Sequence, residues 1–291
     1  MKTIVVISGK GGTGKTVICA SFAVLAQNKV LVDCDVDAAD LHLLLHPEIQ
    51  QRHVFQKGQT ARINPKQCTR CGQCREHCRF QAISPDFHVD KLACEGCGLC
   101  ARVCPAGAVS MEENTCGEWF LSGTAYGPLV HADLYPGEEN SGKLVAQVRE
   151  AAQQEAERFN LDYVIVDGSP GIGCPVIASL SGADLALIVT EPTLSGIHDL
   201  ERVLAVTRHF GIPTRVIINK YDLNEVNTLK IEADQRSQGV DVLGRIPFST
   251  LVPESIVRGV PLVEHSQNEA AQAIRDIWRA VEACLGQSSP V

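Results

Sequence analysis

SGKGGTGKT, residues 8–16, fits the pattern G-x-x-x-x-G-K-T, in which a glycine-rich loop surrounds phosphate groups. The stretch follows the strand-like run TIVVIS at 3–8 and precedes a helical pattern, which is the setting that the pattern requires. Backbone amides next to the glycines can close around a phosphate at the N-terminus of that helix. The sequence therefore predicts a phosphate-binding loop between the first strand and the first helix, and a glycine-rich turn without a ligand is the alternative.

The loop also supplies side chains for a nucleotide. Lys15 is expected to reach the β- and γ-phosphates, and Thr16 to bind a magnesium ion. The predicted contacts of the loop are Gly9, Lys10, Gly11, Gly12, Thr13, Gly14, Lys15, Thr16 and Val17.

Strand-length runs of Val, Ile and Leu recur along the chain, at 3–8, 29–35, 162–168, 184–191, 214–220 and 240–247. Such continuous apolar runs are typical of strands that are buried on both faces of a parallel sheet. Helical patterns of crossover length fill the gaps, at 15–27, 141–158, 195–210, 224–237 and 268–285. The sequence predicts an α/β fold with a doubly wound, mostly parallel sheet.

Eight of the thirteen cysteines form two tight runs. The first run, Cys68, Cys71, Cys74 and Cys78, has the spacing C-x2-C-x2-C-x3-C, and the second repeats it at Cys94, Cys97, Cys100 and Cys104. This is the bacterial two-cluster ferredoxin pattern, in which the fourth cysteine of each run binds the other cluster. The spacing predicts one 4Fe-4S cluster on Cys68, Cys71, Cys74 and Cys104, and a second on Cys94, Cys97, Cys100 and Cys78.

Zinc is the competing interpretation, because C-x2-C pairs also build structural zinc sites. Three evenly spaced cysteines followed by a fourth, in a duplicated run, favour iron and sulfur. Arg79 stands where the first run would carry a proline comparable to Pro105 of the second run.

The cysteine runs lie in a segment whose composition differs from the rest of the chain. Between 61 and 112 the long apolar runs disappear and the sequence repeats internally after twenty-six residues. We expect an inserted α+β, ferredoxin-like domain at 61–112, between a first part of the nucleotide domain at 1–60 and a second part at 113–291.

Charge and hydropathy narrow the choice of partners. The net charge of −8 and the lack of a long Lys/Arg cluster argue against nucleic acid. The N-terminus shows no secretory signal, and no apolar run has the roughly 18 residues of a membrane span, so we expect a cytoplasmic protein. The helical pattern at 268–285 has a polar face of mixed charge, and we expect its apolar face to pack on the sheet without binding a membrane.

Lys10 narrows the choice of protein family to which the phosphate loop is similar. The run KGGTGKT resembles the deviant Walker A signature of the MinD, Mrp and nitrogenase iron protein group of ATPases. The resemblance implies a homodimer that encloses nucleotide between its subunits, with Lys10 crossing to the nucleotide of the partner. A lysine that acts only within its own chain is the alternative.

Two acidic stretches extend this resemblance. VLVDCDVDAAD at 30–40 is similar to the first switch of the family, in which Asp35 matches the carboxylate that orients the attacking water. VIVDGSPGIG at 164–173 is similar to the second switch, in which Asp167 would hold magnesium through water. The resemblance implies that the catalytic residues are Lys10, Lys15, Asp35 and Asp167.

The segment that would recognise the base supports two interpretations. NKYD at 219–222 reads like the guanine-specific motif of GTPases, with Asp222 on the guanine edge. The resemblance instead implies adenine, bound by Asn219 and covered by the IPFS loop at 246–249 through Pro247 and Phe248. We favour adenine, and Asp222 as a simple helix N-cap is the third interpretation.

Cys174 follows Asp167 by seven residues, a spacing similar to that of the cysteine that holds the intersubunit cluster of the nitrogenase iron protein. A metal site shared between subunits at Cys174 would need a second ligand, for which Cys116 is the candidate, and burial of Cys174 is the default expectation. His131, Glu138 and Glu139 are weaker candidates for contact with a partner.

Taken together, the chain resembles the MinD-superfamily ATPases that contain an inserted ferredoxin domain. The resemblance implies ATP, Mg²⁺ and two 4Fe-4S clusters. One hypothesis is ATP-dependent electron transfer to or from a redox protein. A second is assembly or delivery of metal clusters to an apo-metalloprotein, and a third is a positioning ATPase that senses redox state.

Overall fold

The structure, a computed structural model, describes residues 1–138 and 141–286, so Glu139 lies outside the described residues. The chain divides into two compact units. The first contains Met1–His53, Trp119–Asp133 and 141–286, and the second contains Val54–Glu118 with 134–138. The predicted insert at 61–112 falls within the second unit.

A nine-stranded sheet has the order β3-β4-β5-β2-β6-β1-β7-β8-β9. The strands are β1 (Lys2–Ser8), β2 (Lys29–Asp33), β3 (Glu48–Ile63), β4 (Val109–Thr124), β5 (Gly127–Leu134), β6 (Tyr163–Pro170), β7 (Leu185–Thr190), β8 (Thr214–Asn219) and β9 (Asp241–Ile246). The pairs from β5 through β2, β6, β1, β7 and β8 to β9 are all parallel. The predicted doubly wound, mostly parallel α/β fold is confirmed.

The described residues form the helices α1 (Lys15–Leu25), α2 (Leu41–Leu45), α3 (Gln73–Glu76), α4 (Leu99–Arg102), α5 (Ser141–Arg158), α6 (Cys174–Leu180), α7 (Leu194–His209), α8 (Glu225–Ser237), α9 (Leu251–Arg258), α10 (Leu262–His265) and α11 (Glu269–Gly286). The five predicted helices match α1, α5, α7, α8 and α11 within a residue or two, and the shorter helices were not predicted. The predicted C-terminal helix buries Ile274, Ile277, Trp278 and Val281, as its apolar face implies. No helix among the described residues is both long and apolar enough to cross a membrane.

Three strands were absent from the prediction. The segment 127–134, where no strand was predicted, contains β5, which joins β4 through Ala125 and Tyr126 alone. A connection of two residues can join only antiparallel strands, so β4 and β5 form a hairpin. β3 is also missing from the prediction because most of its residues are exposed and polar, which leaves no continuous apolar run.

Candidate functional site

The loop between β1 and α1 has the shape that phosphate binding requires. Gly14 caps α1 with φ 95°, a left-handed conformation that favours glycine. A Cβ at Gly14 would lie 2.4 Å from Asn219 Nδ2, and one at Gly9 would lie 2.4 Å from Asp199 Cβ. These glycines therefore let β8 and α7 approach the loop closely.

A cavity of about 740 Å³ opens over this loop. The predicted residues that line it are Gly11, Gly12, Gly14, Lys15, Thr16, Val17, Asp35, Asn219, Pro247 and Phe248. Gly9, Lys10, Thr13 and Asp167 are outside this lining. Further apolar lining comes from α9 through Val252 and Ile256. The cavity thus joins a phosphate end, made by the loop, to an apolar end suited to a planar base.

Two buried aspartates lie beside each other on neighbouring strands. Asp33 of β2 and Asp167 of β6 are register partners in a parallel pair. Asp33 accepts hydrogen bonds from the amides of Asp35 at 3.0 Å and Leu41 at 3.1 Å, so it fixes the turn that carries Asp35. Burial, followed by the charge of Asp167, raises the pKa of Asp33 well above its usual value. Asp33 is therefore a positioning group for the first switch.

Asp167 has an unusual environment. It is 1% exposed, and no described group meets either carboxylate oxygen in good hydrogen-bonding geometry, although the side chains of Thr16 and Cys19 lie near enough to lower its pKa. Burial raises its pKa, and the charge of Lys15 opposes that rise. A buried carboxylate without partners is costly unless a ligand satisfies it. The donor set of Asp167 and Thr16 fits a Mg²⁺ ion, which prefers oxygen ligands and retains water.

Lys15 and Asp35 face each other inside the cavity. Lys15 Nζ lies 3.9 Å from Asp35 Oδ2, and Lys15 is 5% exposed. Burial raises the pKa of Asp35 to about 6, although Lys15 acts to lower it. A carboxylate with this pKa can both orient and exchange protons with a water molecule near neutral pH.

Lys10 is held within its own chain. Its Nζ lies 2.5 Å from Glu191 Oε1 and donates to Ser195 Oγ at 3.0 Å. Lys220 binds the other oxygen of Glu191 at 3.3 Å and the carbonyl of Gly12 at 3.2 Å. Burial acts to raise the pKa of Glu191, but the two lysines outweigh it and hold the pKa below its ordinary value.

Sequence reasoning did not assign a role to Glu191 or Lys220. A usable signal was present for Glu191, because it directly follows β7 at the edge of the sheet where ligands bind in doubly wound folds. The expectation that Lys10 reaches a partner subunit stays a prediction. In the single chain, Lys10 forms an ion pair with Glu191.

The two NKYD side chains that were predicted to recognise a base, Asn219 and Asp222, are already bonded to protein groups. Asn219 Nδ2 donates to the carbonyl of Thr13 at 2.7 Å, so β8 is bonded to the phosphate loop. Asp222 Oδ1 accepts from the amide of Phe248 at 2.7 Å. The N-cap of α8 is Asn224, whose side chain accepts from Asn227, so the N-cap interpretation of Asp222 is wrong.

The cysteine runs converge inside the second unit. Cys78, Cys94, Cys97 and Cys100 line one narrow cavity with apolar neighbours. Burial raises the pKa of the Cys74 thiol, and so do the nearby thiols of Cys104, Cys68 and Cys71. Each group of four takes its fourth member from the other run, as the ferredoxin pattern requires.

The described cysteines do not meet the stricter geometry of a site for a single metal ion. Among the described residues, no group of three or more His, Cys, Asp or Glu is arranged to hold a metal ion. A four-iron cubane attaches each cysteine to a different iron, so its sulfurs lie farther apart than ligands that share one ion. The cysteine grouping fits a cluster in its donor set, and the clusters themselves stay a prediction.

Cys174 and Cys116, the candidate ligands of a metal site between subunits, differ in exposure. Cys174 begins α6 and is exposed, contrary to the default expectation of burial. Cys116 is 1% exposed, and its thiol lies 3.0 Å from the carbonyl of Lys57, so it is not a free second ligand.

The order of strands, the loop and its two acidic switches agree with one family. Residues 4–262 match the CobQ/CobB/MinD/ParA nucleotide binding domain, which is most of the chain. The chain belongs to this family. Its members in the MinD/ParA group are ATPases, so the resemblance inferred from Lys10 and the switches is confirmed at the level of the family, and the ferredoxin-like insert stays a prediction.

Two relatives of this MinD/ParA-type chain cover nearly its whole length. An uncharacterised protein of Methanocaldococcus jannaschii is 31% identical over 288 residues, which are 96% of each chain. The septum site-determining protein MinD of Bacillus subtilis is 25% identical over 299 positions and is covered to 91%.

A solved structure gives the same fold. The septum site-determining protein MinD complexed with Mg-ADP from Pyrococcus horikoshii has a TM-score of 0.62 and 18% identity, covering 100% of this chain and 99% of that one. At this identity the likeness supports the fold alone.

Proposed function

We propose that this protein is a homodimeric, ATP-hydrolysing iron-sulfur protein in which the nucleotide state controls low-potential electron transfer through two 4Fe-4S clusters. The observation that carries the proposal is the grouping of cysteines across the two runs within a chain of the MinD/ParA family. ATP hydrolysis needs no iron and electron transfer needs no ATP, so their union in one chain favours coupling.

The residues around the phosphate loop divide the work of hydrolysis. Lys15, with Lys10, offsets the charge that develops on the γ-phosphate, and the loop amides hold the phosphates in place. Asp35 orients the attacking water, and Asp33 holds the turn that carries Asp35. Asp167 and Thr16 would hold Mg²⁺, which neutralises phosphate charge when bound.

Exposed apolar side chains beside Lys10 support a homodimer. Leu194 is 79% exposed and lies between Thr193 and Ser195, whose hydroxyls are both within hydrogen-bonding distance of Lys10. Val226 is 77% exposed, and its neighbour Asn227 donates to the carbonyl of Pro192. Apolar groups left in water around a nucleotide site are typical of a surface that a partner covers.

The cysteine groups would hold one cluster each. Cys68, Cys71, Cys74 and Cys104 would bind the first cluster, and Cys78, Cys94, Cys97 and Cys100 the second. The amide of Ala108 donates to Cys104 Sγ at 3.3 Å, and hydrogen bonds of this kind to sulfur tune the reduction potential. When bound, each cluster supplies one-electron chemistry.

The contact between Asp222 and Phe248 favours adenine. With one oxygen bonded to the Phe248 amide, Asp222 anchors the loop that would cover the ring. We expect Asp222→Ala to weaken ATP binding by roughly twofold to tenfold, the equivalent of one hydrogen bond. Titration with a fluorescent ATP analogue measures this change.

Asp222→Asn is the matched control, since it keeps an acceptor oxygen and should bind ATP almost as well as the parent protein. A residue that reads guanine would behave differently, because both substitutions would abolish a preference for GTP and leave ATP binding unchanged. That result would contradict the adenine assignment.

An anaerobic redox titration followed by electron paramagnetic resonance tests the coupling. We expect roughly eight iron atoms per chain, and a shift of about 100 mV on addition of a non-hydrolysable Mg-ATP analogue, equal to roughly 2.3 kcal/mol for one electron. The same titration with Mg-ADP is the control. Cluster reduction potentials that do not change on addition of the Mg-ATP analogue would contradict equilibrium coupling between nucleotide and clusters.

A second function is favoured by one observation, the exposure of Cys174 directly after the second switch. Two copies of Cys174, one from each subunit, would supply two ligands of a labile cluster, and, since Cys116 is buried, thiols of an apo-metalloprotein acceptor would supply the rest. This function predicts nucleotide-dependent loss of iron to an acceptor, and Cys174→Ala would abolish that loss while leaving the other clusters in place.

A further inference from the structure

The surface around the first cysteine run carries a charge opposite to that of the chain. Residues 66–79 include Lys66, Arg70, Arg75 and Arg79 but only one acid, Glu76, although the whole chain has a net charge of −8. The matching stretch of the second run, 92–105, balances its charges with Glu95 and Arg102. The positive charge is therefore specific to one half of the duplicated unit.

These basic side chains are available to a partner. All four are exposed. Among the described residues, no hydrogen bond or ion pair engages the guanidinium groups of Arg70, Arg75 or Arg79. Unpaired arginines are ready to bind carboxylates on another protein.

A groove of about 720 Å³ adjoins this basic stretch. Arg75 is the one of the four basic residues that lines it, together with Glu76, Cys78, Pro85 and Phe87, and Arg79 directly follows Cys78 in the sequence. Cys78 also lines the cavity that it shares with Cys94, Cys97 and Cys100. Among the described cysteines, Cys78 is the one that borders both the groove and the predicted second cluster.

We propose that this groove, the basic groove, is the docking site for a small acidic one-electron carrier, and that electrons pass through Cys78. The inference rests on the proposed function. Cys78, Cys94, Cys97 and Cys100 would hold the cluster, which would supply one-electron chemistry, so that one electron lost by the cluster would be gained by the carrier. No atom is transferred, and the reverse direction has the same balance.

Charge and shape both favour a protein of this chemistry. Acidic groups on a carrier would be attracted to the basic groove and repelled by the negative remainder of the chain, which orients the encounter. Pro85, Phe87 and the 45% exposed Phe80 supply apolar contact area beside the charges, as in the centre of a protein interface. A polyanion such as DNA would use the charge but not the apolar contacts.

Stopped-flow oxidation of the reduced protein tests the proposal, with flavodoxin as the acidic carrier and cytochrome c as the basic one. We expect the rate with flavodoxin to fall as salt increases, and the Arg75→Glu and Arg79→Glu changes to slow flavodoxin but not cytochrome c, which the negative remainder of the chain attracts. The double variant Arg75→Glu and Arg79→Glu should slow the reaction with flavodoxin by roughly tenfold or more at low salt.

The matched control is the double variant Lys230→Glu and Arg236→Glu, which makes the same change of net charge on exposed positions of α8. It should react with flavodoxin at a rate near that of the parent protein. Equal slowing by both double variants, or a flavodoxin rate that salt does not change, would overturn the docking site. Binding of heparin or DNA that outcompetes flavodoxin would overturn the choice of partner.

Binding of oxidised flavodoxin, measured by calorimetry, separates this inference from the proposed function. If the isolated chain contains no iron, the proposed function fails, but salt-dependent binding that the Arg75/Arg79 variant loses would still support the basic groove. If iron is present and binding does not occur, the docking site alone fails.

Discussion

Replacing Lys15 with methionine is expected to abolish ATP turnover, with a loss of at least about a hundredfold, while the iron content stays unchanged. Lys15 is 5% exposed and lies 3.9 Å from Asp35, so it is the buried cation at the phosphate end of the cavity. Removing a preorganised positive charge from the place where γ-phosphate charge develops costs two or more orders of magnitude in rate. Phosphate release from purified protein measures the effect.

Lys29→Met is the control for this variant. Lys29 is also buried and starts a strand of the same sheet, and its Nζ donates to the carbonyl of Ala26. Both substitutions remove one buried ammonium and keep the aliphatic stem, but only Lys15 lines the nucleotide cavity. Retained turnover in Lys15→Met, or equal loss in Lys29→Met, would contradict the assignment.

Paired cysteine substitutions should show which thiols share a cluster. If ligands cross between the runs, Cys78→Ala with Cys97→Ala removes two ligands of the same cluster, and about four iron atoms should remain. Cys71→Ala with Cys78→Ala removes ligands from both clusters, and almost no iron should remain. Iron analysis and visible absorption measure both results.

The opposite pattern would contradict the crossed arrangement. If each run bound its own cluster, the pair Cys71 and Cys78 would leave about four iron atoms, and the pair Cys78 and Cys97 would leave none. Cys174→Ala, at an exposed cysteine outside both runs, is the control and should leave iron unchanged. Zinc in place of iron would contradict the cluster assignment as a whole.

The buried half of the fold was predictable because its signals are local. Continuous Val, Ile and Leu runs marked β1, β2 and β6 to β9, and the glycine spacing marked the phosphate loop. β3 and β5 were missed for a physical reason. Most residues of β3 face water, which leaves no apolar run, and β5 is a short strand whose buried stretch is interrupted by His131, so neither shows a continuous Val, Ile and Leu pattern.

Partners of the site residues were harder to predict than the residues themselves. The sequence marks Asp222 as notable, but whether its carboxylate meets a base, a helix end or the Phe248 amide depends on how β9 places the following loop. The same holds for Lys10, whose contact with Glu191 joins positions 181 apart in the chain. Tertiary packing, which leaves no local periodicity, decides such contacts.

Glu191 gives the nucleotide site a way to distinguish three phosphates from two. Its carboxylate holds Lys10 on one oxygen and Lys220 on the other. A nucleoside triphosphate carries the extra negative charge needed to draw Lys10 away, whereas a diphosphate competes less strongly with Glu191.

After Lys10 leaves, Glu191 keeps only Lys220, which also binds the carbonyl of Gly12 in the phosphate loop. The full negative charge of Glu191 would then act on that single lysine and strengthen their ion pair, which keeps Lys220 beside the loop. Loss of the γ-phosphate would reverse the exchange, and Glu191 would return Lys10 to its starting contact after each turnover.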